Sequence, residues 1–170
     1  VLTANAPETK DNDFTWRDFQ ARNNNELVAD LGNFVNRSLV LTHKYFEGKV
    51  PAPAKWGEEE NALIRRLFEL KDNLETHLEQ FKIREALKDL MNIARLGNKY
   101  LADMEPWRLI KTDEDRVQGI LNICLQLSAY LSVLGEPFLP FSMKRLRKML
   151  NIDKLEWPQT DDFNLLAEGH

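Results

Sequence analysis

Apolar residues recur at spacings of three and four along most of the chain, which places them on one face of an α-helix. Each of these patterns stops at a glycine, a proline or a polar turn. No stretch shows the alternation of apolar and polar residues that is typical of a half-buried strand. Five helices are therefore predicted, at about Asn23–Gly48, Glu58–Gln80, Ile83–Asp103, Asp113–Gly135 and Pro140–Leu150.

The connectors between these helices are mostly short, and short connectors force consecutive helices to run in opposite directions. The pattern predicts an all-α fold, an antiparallel bundle of about five helices that occupies residues 23–170. Three asparagines beginning at Asn23 offer N-caps for the first helix. Residues 1–22 are polar and turn-rich and predict an irregular connecting segment, and the tail from Asn151 is predicted to be a loop.

The composition is that of one ordinary soluble domain, with 170 residues, 43% hydrophobic and 29% charged. No apolar run is expected to reach the roughly 18 residues that span a membrane, and no secretory signal is apparent. The single Cys124 cannot form an internal disulfide, which favours a reducing compartment such as the cytoplasm. A net charge of −4 argues against a general polyanion binder. Because the chain starts at Val1, we expect it to be part of a longer protein.

The residues that most enzymes need for chemistry are missing from the sequence. There is no glycine-rich phosphate loop, and one cysteine and three scattered histidines have no metal-ligand spacing. Cys124 falls on an apolar helix face and is predicted to be a buried, inert thiol. The basic run Lys144–Lys148 is expected to be a solvated helix face rather than a phosphate contact. We therefore expect no catalytic residue and no metal site here; the histidines are His43, His77 and His170.

Two short patterns are candidates for binding unstacked bases. Asn33 and Arg37 lie four residues apart, so their side chains project from the same side of the first helix. An amide and a guanidinium can read base edges, and the indole of Trp107, which follows Pro106, offers a surface for stacking. Spacing alone favours a solvated face for the pair and a packing role for Trp107. The remaining tryptophans are also predicted to be packing residues: Trp16, Trp56 and Trp157.

Three segments carry a resemblance to a known family. Residues 3–19 resemble the stretch that follows the KMSKS loop of methionyl-tRNA synthetases, which are class I aminoacyl-tRNA synthetases. Residues 24–37 are similar to the first helix of their anticodon-binding domain. The third match is an N-x-Y…P-W signature, formed by Asn98, Tyr100, Pro106 and Trp107.

The resemblance implies that the bundle recognises the CAU anticodon of methionine tRNA. Asn33 and Arg37 match the family's residues that contact anticodon bases. Trp107 matches the tryptophan on which the cytosine packs, and Pro106 precedes it as expected. Asn98 and Tyr100 are possible supports, which either buttress the Trp107 loop or cap the bundle.

Two positions depart from the family pattern. Ala29 stands where some members carry a further asparagine on the same face, which puts a base contact one turn before Asn33 in doubt. Glu105 stands where many members have lysine or alanine, and we expect its carboxylate to point away from the bases.

The resemblance also implies that catalysis takes place in an upstream domain of the same protein. That domain carries the HIGH and KMSKS motifs and uses ATP, Mg²⁺ and zinc, whereas this fragment needs no cofactor and should not activate methionine alone. The implied partners are methionine tRNA and the catalytic domain, with no membrane and no DNA. Two alternatives stay open: the bundle of another class I synthetase, for isoleucine, valine, leucine, cysteine or arginine, and a helical protein-interaction module without an RNA role.

Overall fold

The computed structural model describes residue 4 and residues 13–153, 156–158 and 163–170. Within these residues the regular structure is entirely helical, which confirms the predicted all-α bundle. A π-helical segment, Asn23–Gly32, joins the first two of seven α-helices. The α-helices are α1 (Trp16–Arg22), α2 (Asn33–Phe46), α3 (Glu58–Glu79), α4 (Ile83–Met104), α5 (Pro106–Leu109), α6 (Glu114–Leu134) and α7 (Pro140–Met149).

The first helix begins earlier than the sequence predicts. Thr15 is its N-cap, and the Thr15 side-chain oxygen accepts a hydrogen bond from the Asp18 backbone N–H at 3.1 Å. The prediction that the asparagines from Asn23 cap this helix is wrong, because the backbone stays right-handed helical through Arg22 and Gly32. The α1 helix, the π-helical segment and α2 therefore form one continuous rod. Residues 1–3 and 5–12 of the predicted connecting segment lie outside the described residues.

The four later predicted helices agree with α3, α4, α6 and α7 to within one residue at every end. Side-chain contacts show that α3 and α4 are antiparallel. Tyr100, late in α4, bonds to Glu60 at the start of α3, and Asp89, early in α4, bonds to His77 near the end of α3. The described part of the tail after Asn151 is not helical, as predicted.

The α6 helix is the central core helix. Its length and composition are those of a helix that could cross a membrane, with a mean hydropathy of 1.5 over 18 residues. The expectation that no apolar run reaches this length is therefore wrong. However, 94% of that window is buried inside the bundle. Its Gln126 amide bonds both the N–H and the C=O of Leu166 at 2.8 Å, which fixes the tail to the core. Cys124 is fully buried as predicted, and burial raises its pKa to about 12.

A glycine allows α2 and α4 to approach closely. A Cβ atom placed on Gly97 would lie 2.5 Å from the ring of Phe34, which is completely buried. The bare backbone of α4 therefore accepts the phenylalanine ring of α2. Asn33 immediately precedes Phe34, and Asn98 immediately follows Gly97, so this contact determines how closely the two amides approach each other.

Candidate nucleic-acid interface

Arg37 and Trp107, from α2 and α5, meet on the surface of the bundle. The Arg37 Cζ atom lies 5.1 Å from the centroid of the Trp107 ring, which is the geometry of a cation–π contact. Arg37 is half-buried, whereas Trp107 remains 37% exposed. The Arg37 guanidinium thus contacts the indole, while more than a third of Trp107 remains accessible to a ligand.

Asn33 and Asn98 form the polar part of the same surface. The Asn98 Nδ2 atom donates to the backbone oxygen of Asp30 at 2.5 Å. Because a backbone carbonyl can only accept, the Asn98 Oδ1 atom must face the other way, where it accepts from Asn33 Nδ2 at 3.4 Å. Asn33 is exposed, so its own Oδ1 atom and a second N–H remain available to a ligand.

An ion pair strengthens the junction between the π-helical segment and α4. Arg95 Nε donates to Asp30 Oδ2 at 2.8 Å, one turn before Asn98 on α4. Asp30 therefore contacts α4 through both its backbone and its side chain. The sequence does not identify Asp30 or Arg95 as part of this surface. No local pattern signals this pair, because its two residues lie 65 positions apart.

The turn before Trp107 is built from two unusual residues. Glu105 has a left-handed backbone, with φ of 43°, and it ends α4. Pro106 then occupies the first position of α5, where its missing N–H is not needed, and it is buried. The Glu105 carboxylate accepts from Arg108 Nη1 at 2.8 Å. Arg108 of α5 therefore neutralises this acid, and its orientation relative to the bases stays a prediction.

Tyr100 does not lie on the exposed surface with Trp107. Its side chain is buried, and its hydroxyl donates to Glu60 Oε1 at 3.0 Å. Burial, followed by the nearby Cys124 and Glu60, raises the pKa of Tyr100, so the hydroxyl remains a donor. Tyr100 therefore joins α4 to α3 inside the bundle, whereas Asn98 belongs to the surface itself.

The other candidate residues lie elsewhere. On α7, Arg147 pairs with Glu136 at 2.7 Å, and the remaining cations of the basic run are exposed, as expected for a solvated face. Trp56 packs edge-on against Phe163, with ring centroids 5.4 Å apart. Trp157 donates to Glu75.

Trp16 differs from the prediction of a packing residue, because it is 77% exposed. It touches only two other partly exposed rings, those of Phe14 and Phe19, among the ring contacts of the described residues. We call these three residues the N-terminal aromatic cluster.

Comparison with known proteins decides the family. Residues 50–170 match the family model described as the anticodon binding domain of methionyl tRNA ligase. The chain belongs to this family. Residues 1–39 match a second model, that of class I tRNA synthetases of the methionine type. These matches support the resemblance drawn from the sequence, and they do not favour a bundle from a synthetase for another amino acid.

Individual relatives agree with this assignment. The chain is 62% identical, over its whole length, to the methionine–tRNA ligase of Phocaeicola vulgatus, and 60% identical to that of Bacteroides fragilis. It spans 25% of the length of each of these relatives. A solved structure of Mycobacterium tuberculosis methionyl-tRNA synthetase in complex with methionyl-adenylate shares the fold, with a TM-score of 0.84. At 24% identity, this alignment covers 89% of our chain and 30% of the other.

Proposed function

We propose that this chain recognises the CAU anticodon of methionine tRNA, and that Asn33, Arg37 and Trp107 make the base contacts. The observation that carries the proposal is the placement of Arg37 over the partly exposed Trp107 ring, beside an exposed amide. A base stacked on an aromatic ring contributes about 1–3 kcal/mol. An indole already held by a guanidinium needs little reordering to accept the cytosine.

Specificity for the anticodon would come from the polar groups next to the ring. Asn98 fixes the orientation of the Asn33 amide, which therefore presents a defined acceptor and donor outward. A base with the wrong edge leaves such groups unpaired once water is excluded, at a cost of about 1–3 kcal/mol for each group. Pro106 contributes by fixing the backbone immediately before the indole.

In the full-length protein, this recognition would support the ATP-dependent attachment of methionine to its tRNA in the cytoplasm. We place the groups that use ATP, Mg²⁺ and zinc in the catalytic part upstream, in keeping with the fraction of each relative that this chain covers. Binding energy gained at the anticodon would place the acceptor end productively, and would thus appear as faster charging of the correct tRNA.

Residues 1–22 would connect the bundle to that catalytic part. The N-terminal aromatic cluster lies in the region that matches the class I synthetase model, and its three rings are 5.2 to 6.1 Å apart. Exposed aromatic rings that contact one another form an apolar patch suited to a protein interface. We assign this patch to the contact with the catalytic part.

The test uses the full-length ligase and two separate activities. Trp107→Ala should raise the KM for methionine tRNA by about fivefold to 100-fold, since stacking of roughly 1–3 kcal/mol is lost. Methionine activation, measured by ATP–pyrophosphate exchange, should be unchanged. Asn33→Ala should weaken discrimination between CAU and altered anticodons.

Trp56 supplies a matched control, because it is 36% exposed, nearly the same as Trp107. Trp56→Ala should leave the KM for tRNA within about twofold of the wild-type value. Equal loss of charging and of methionine activation in Trp107→Ala would indicate damaged folding, and unchanged charging would refute the proposed site. Binding of a partner protein that is insensitive to tRNA would favour the interaction-module alternative.

A further inference from the structure

A buried carboxylate lies where α3, α4 and α6 meet. Glu60, at the start of α3, is only 1% exposed. Its Oε2 atom accepts from the backbone N–H of Gly57 at 2.8 Å. Its Oε1 atom accepts from the Tyr100 hydroxyl at 3.0 Å and from Arg116 Nη2 at 2.6 Å. One carboxylate therefore joins the beginning of α3, the end of α4 and the beginning of α6.

The partners of Glu60 lie on both sides of the segment that carries Trp107. Residues 105–113, which include Trp107, connect α4 to α6. Tyr100 precedes this segment and Arg116 follows it, so both ends of the segment are fastened to Glu60. Arg116 Nη2 also lies 3.4 Å from the sulfur of Met104, the last residue of α4.

We infer that Glu60 is a positioning residue for anticodon recognition, since it fixes both ends of the segment that presents Trp107. This inference rests on the function proposed above. It assigns a role in tRNA binding to a residue that does not lie on the binding surface. Its partners Tyr100 and Arg116 act with it as one unit.

The charge of Glu60 is essential to this role. Burial alone raises the pKa of a carboxyl group, but the hydrogen bonds from Arg116, Gly57 and Tyr100 together hold the pKa of Glu60 below its ordinary value. The same contact raises the pKa of Arg116. Replacing the carboxylate by an amide leaves the guanidinium without its buried counter-charge, so the cation is expected to turn towards water.

A small movement of the segment is enough to affect binding. Stacking requires the ring to lie where the anticodon loop presents its base, and displacement by about 1 Å can cost as much as 100-fold in rate. With Glu60 neutral, α4 and α6 can shift relative to each other at the two ends of the segment. The contact between Trp107 and Arg37 would then no longer be held at one distance.

The experiment compares Glu60→Gln with Asp89→Asn in the full-length ligase. Asp89 is the matched control, because it is also a buried carboxylate that links α3 to α4, through His77 at 2.8 Å, but at the opposite end of these helices. Both variants should lower the melting temperature. Below that temperature, only Glu60→Gln should raise the KM for methionine tRNA, by about tenfold, with methionine activation unchanged.

A double-mutant cycle distinguishes positioning from general destabilisation. In a Trp107→Ala background, Glu60→Gln should have no further effect on the KM for tRNA, because the group it positions is gone. Full additivity, or an equal effect of Asp89→Asn, would overturn the inference. If Trp107→Ala alone leaves the KM unchanged, the proposed function fails instead.

A milder variant covers the case in which Glu60→Gln does not fold. Tyr100→Phe removes one hydrogen bond to Glu60 and leaves the ion pair with Arg116 in place. It should raise the KM for tRNA by about threefold, and again only when Trp107 is present. An unchanged KM in a folded Tyr100→Phe protein would contradict the inference.

Discussion

Substituting alanine for Gly97 perturbs the packing that brings the two asparagines of the binding surface together. The added Cβ atom would lie 2.5 Å from the Phe34 ring, whereas ordinary contacts of this kind begin at 3.4 Å. Phe34 is completely buried, so its ring has no free space to enter. The helices α2 and α4 must therefore separate by about 1 Å, or the ring must leave its rotamer.

The magnitude follows from these distances. Overpacking of a well-packed core typically costs about 1–3 kcal/mol, and we expect Gly97→Ala to lower the free energy of unfolding by that amount. The hydrogen bond between Asn33 and Asn98 is already 3.4 Å long, so a separation of about 1 Å would break it. Discrimination between CAU and altered anticodons should weaken at the same time.

The assays are denaturant unfolding of the full-length ligase and charging of methionine tRNA. Gly119→Ala is the control, because its Cβ atom would lie 2.4 Å from the Cβ of Ala54, in the connection between α2 and α3 and away from the two asparagines. Both variants should be destabilised, but only Gly97→Ala should lose anticodon discrimination. Adding Phe34→Leu to the Gly97→Ala protein should partly restore that discrimination. A Gly97→Ala protein with wild-type stability would show that the described packing of α2 against α4 is incorrect.

Two further predictions concern acid stability and the N-terminal aromatic cluster. The folded pKa of Glu60 lies below the ordinary value of 4.5, so its stabilisation is fully present above pH 4.5 and is lost as the pH falls through the folded pKa. Glu60→Gln should therefore flatten the acid limb of stability measured by denaturant unfolding between about pH 3 and pH 7; an unchanged limb would argue against an ionised Glu60. In hydroxyl-radical footprinting of the full-length ligase, Trp16 should be protected relative to Trp107, and equal oxidation of the two would refute the assigned contact with the catalytic part.

The bundle follows from the sequence where caps and periodicity agree. Asp113 caps α6 through the Arg116 N–H at 3.0 Å, and Pro140 opens α7, as their residue types indicate. The start of the first helix was predicted wrongly because the asparagines from Asn23 resemble caps, whereas Thr15 provides the actual one. The π-helical segment has no propensity signal of its own.

The binding surface is only partly predictable, for a related reason. The spacing of Asn33 and Arg37 shows that they share a face, and the family resemblance adds Trp107. The contact that fixes Asn98 joins residues 68 positions apart, and local periodicity carries no information about such a pair. In the sequence, Glu60 is one of three acids in the first turn of α3, where acids commonly complement the helix dipole. Its burial depends on Tyr100 and Arg116, which approach it only in the folded bundle.

The measurement that tests the central claim most directly is the oxidation of Trp107 in the full-length ligase, with and without tRNA. Methionine tRNA should protect the indole strongly, and the same tRNA with its CAU anticodon replaced should protect it little at equal concentration. Equal oxidation of Trp107 in the free protein and in the complex with methionine tRNA would contradict the assignment of this surface to the anticodon.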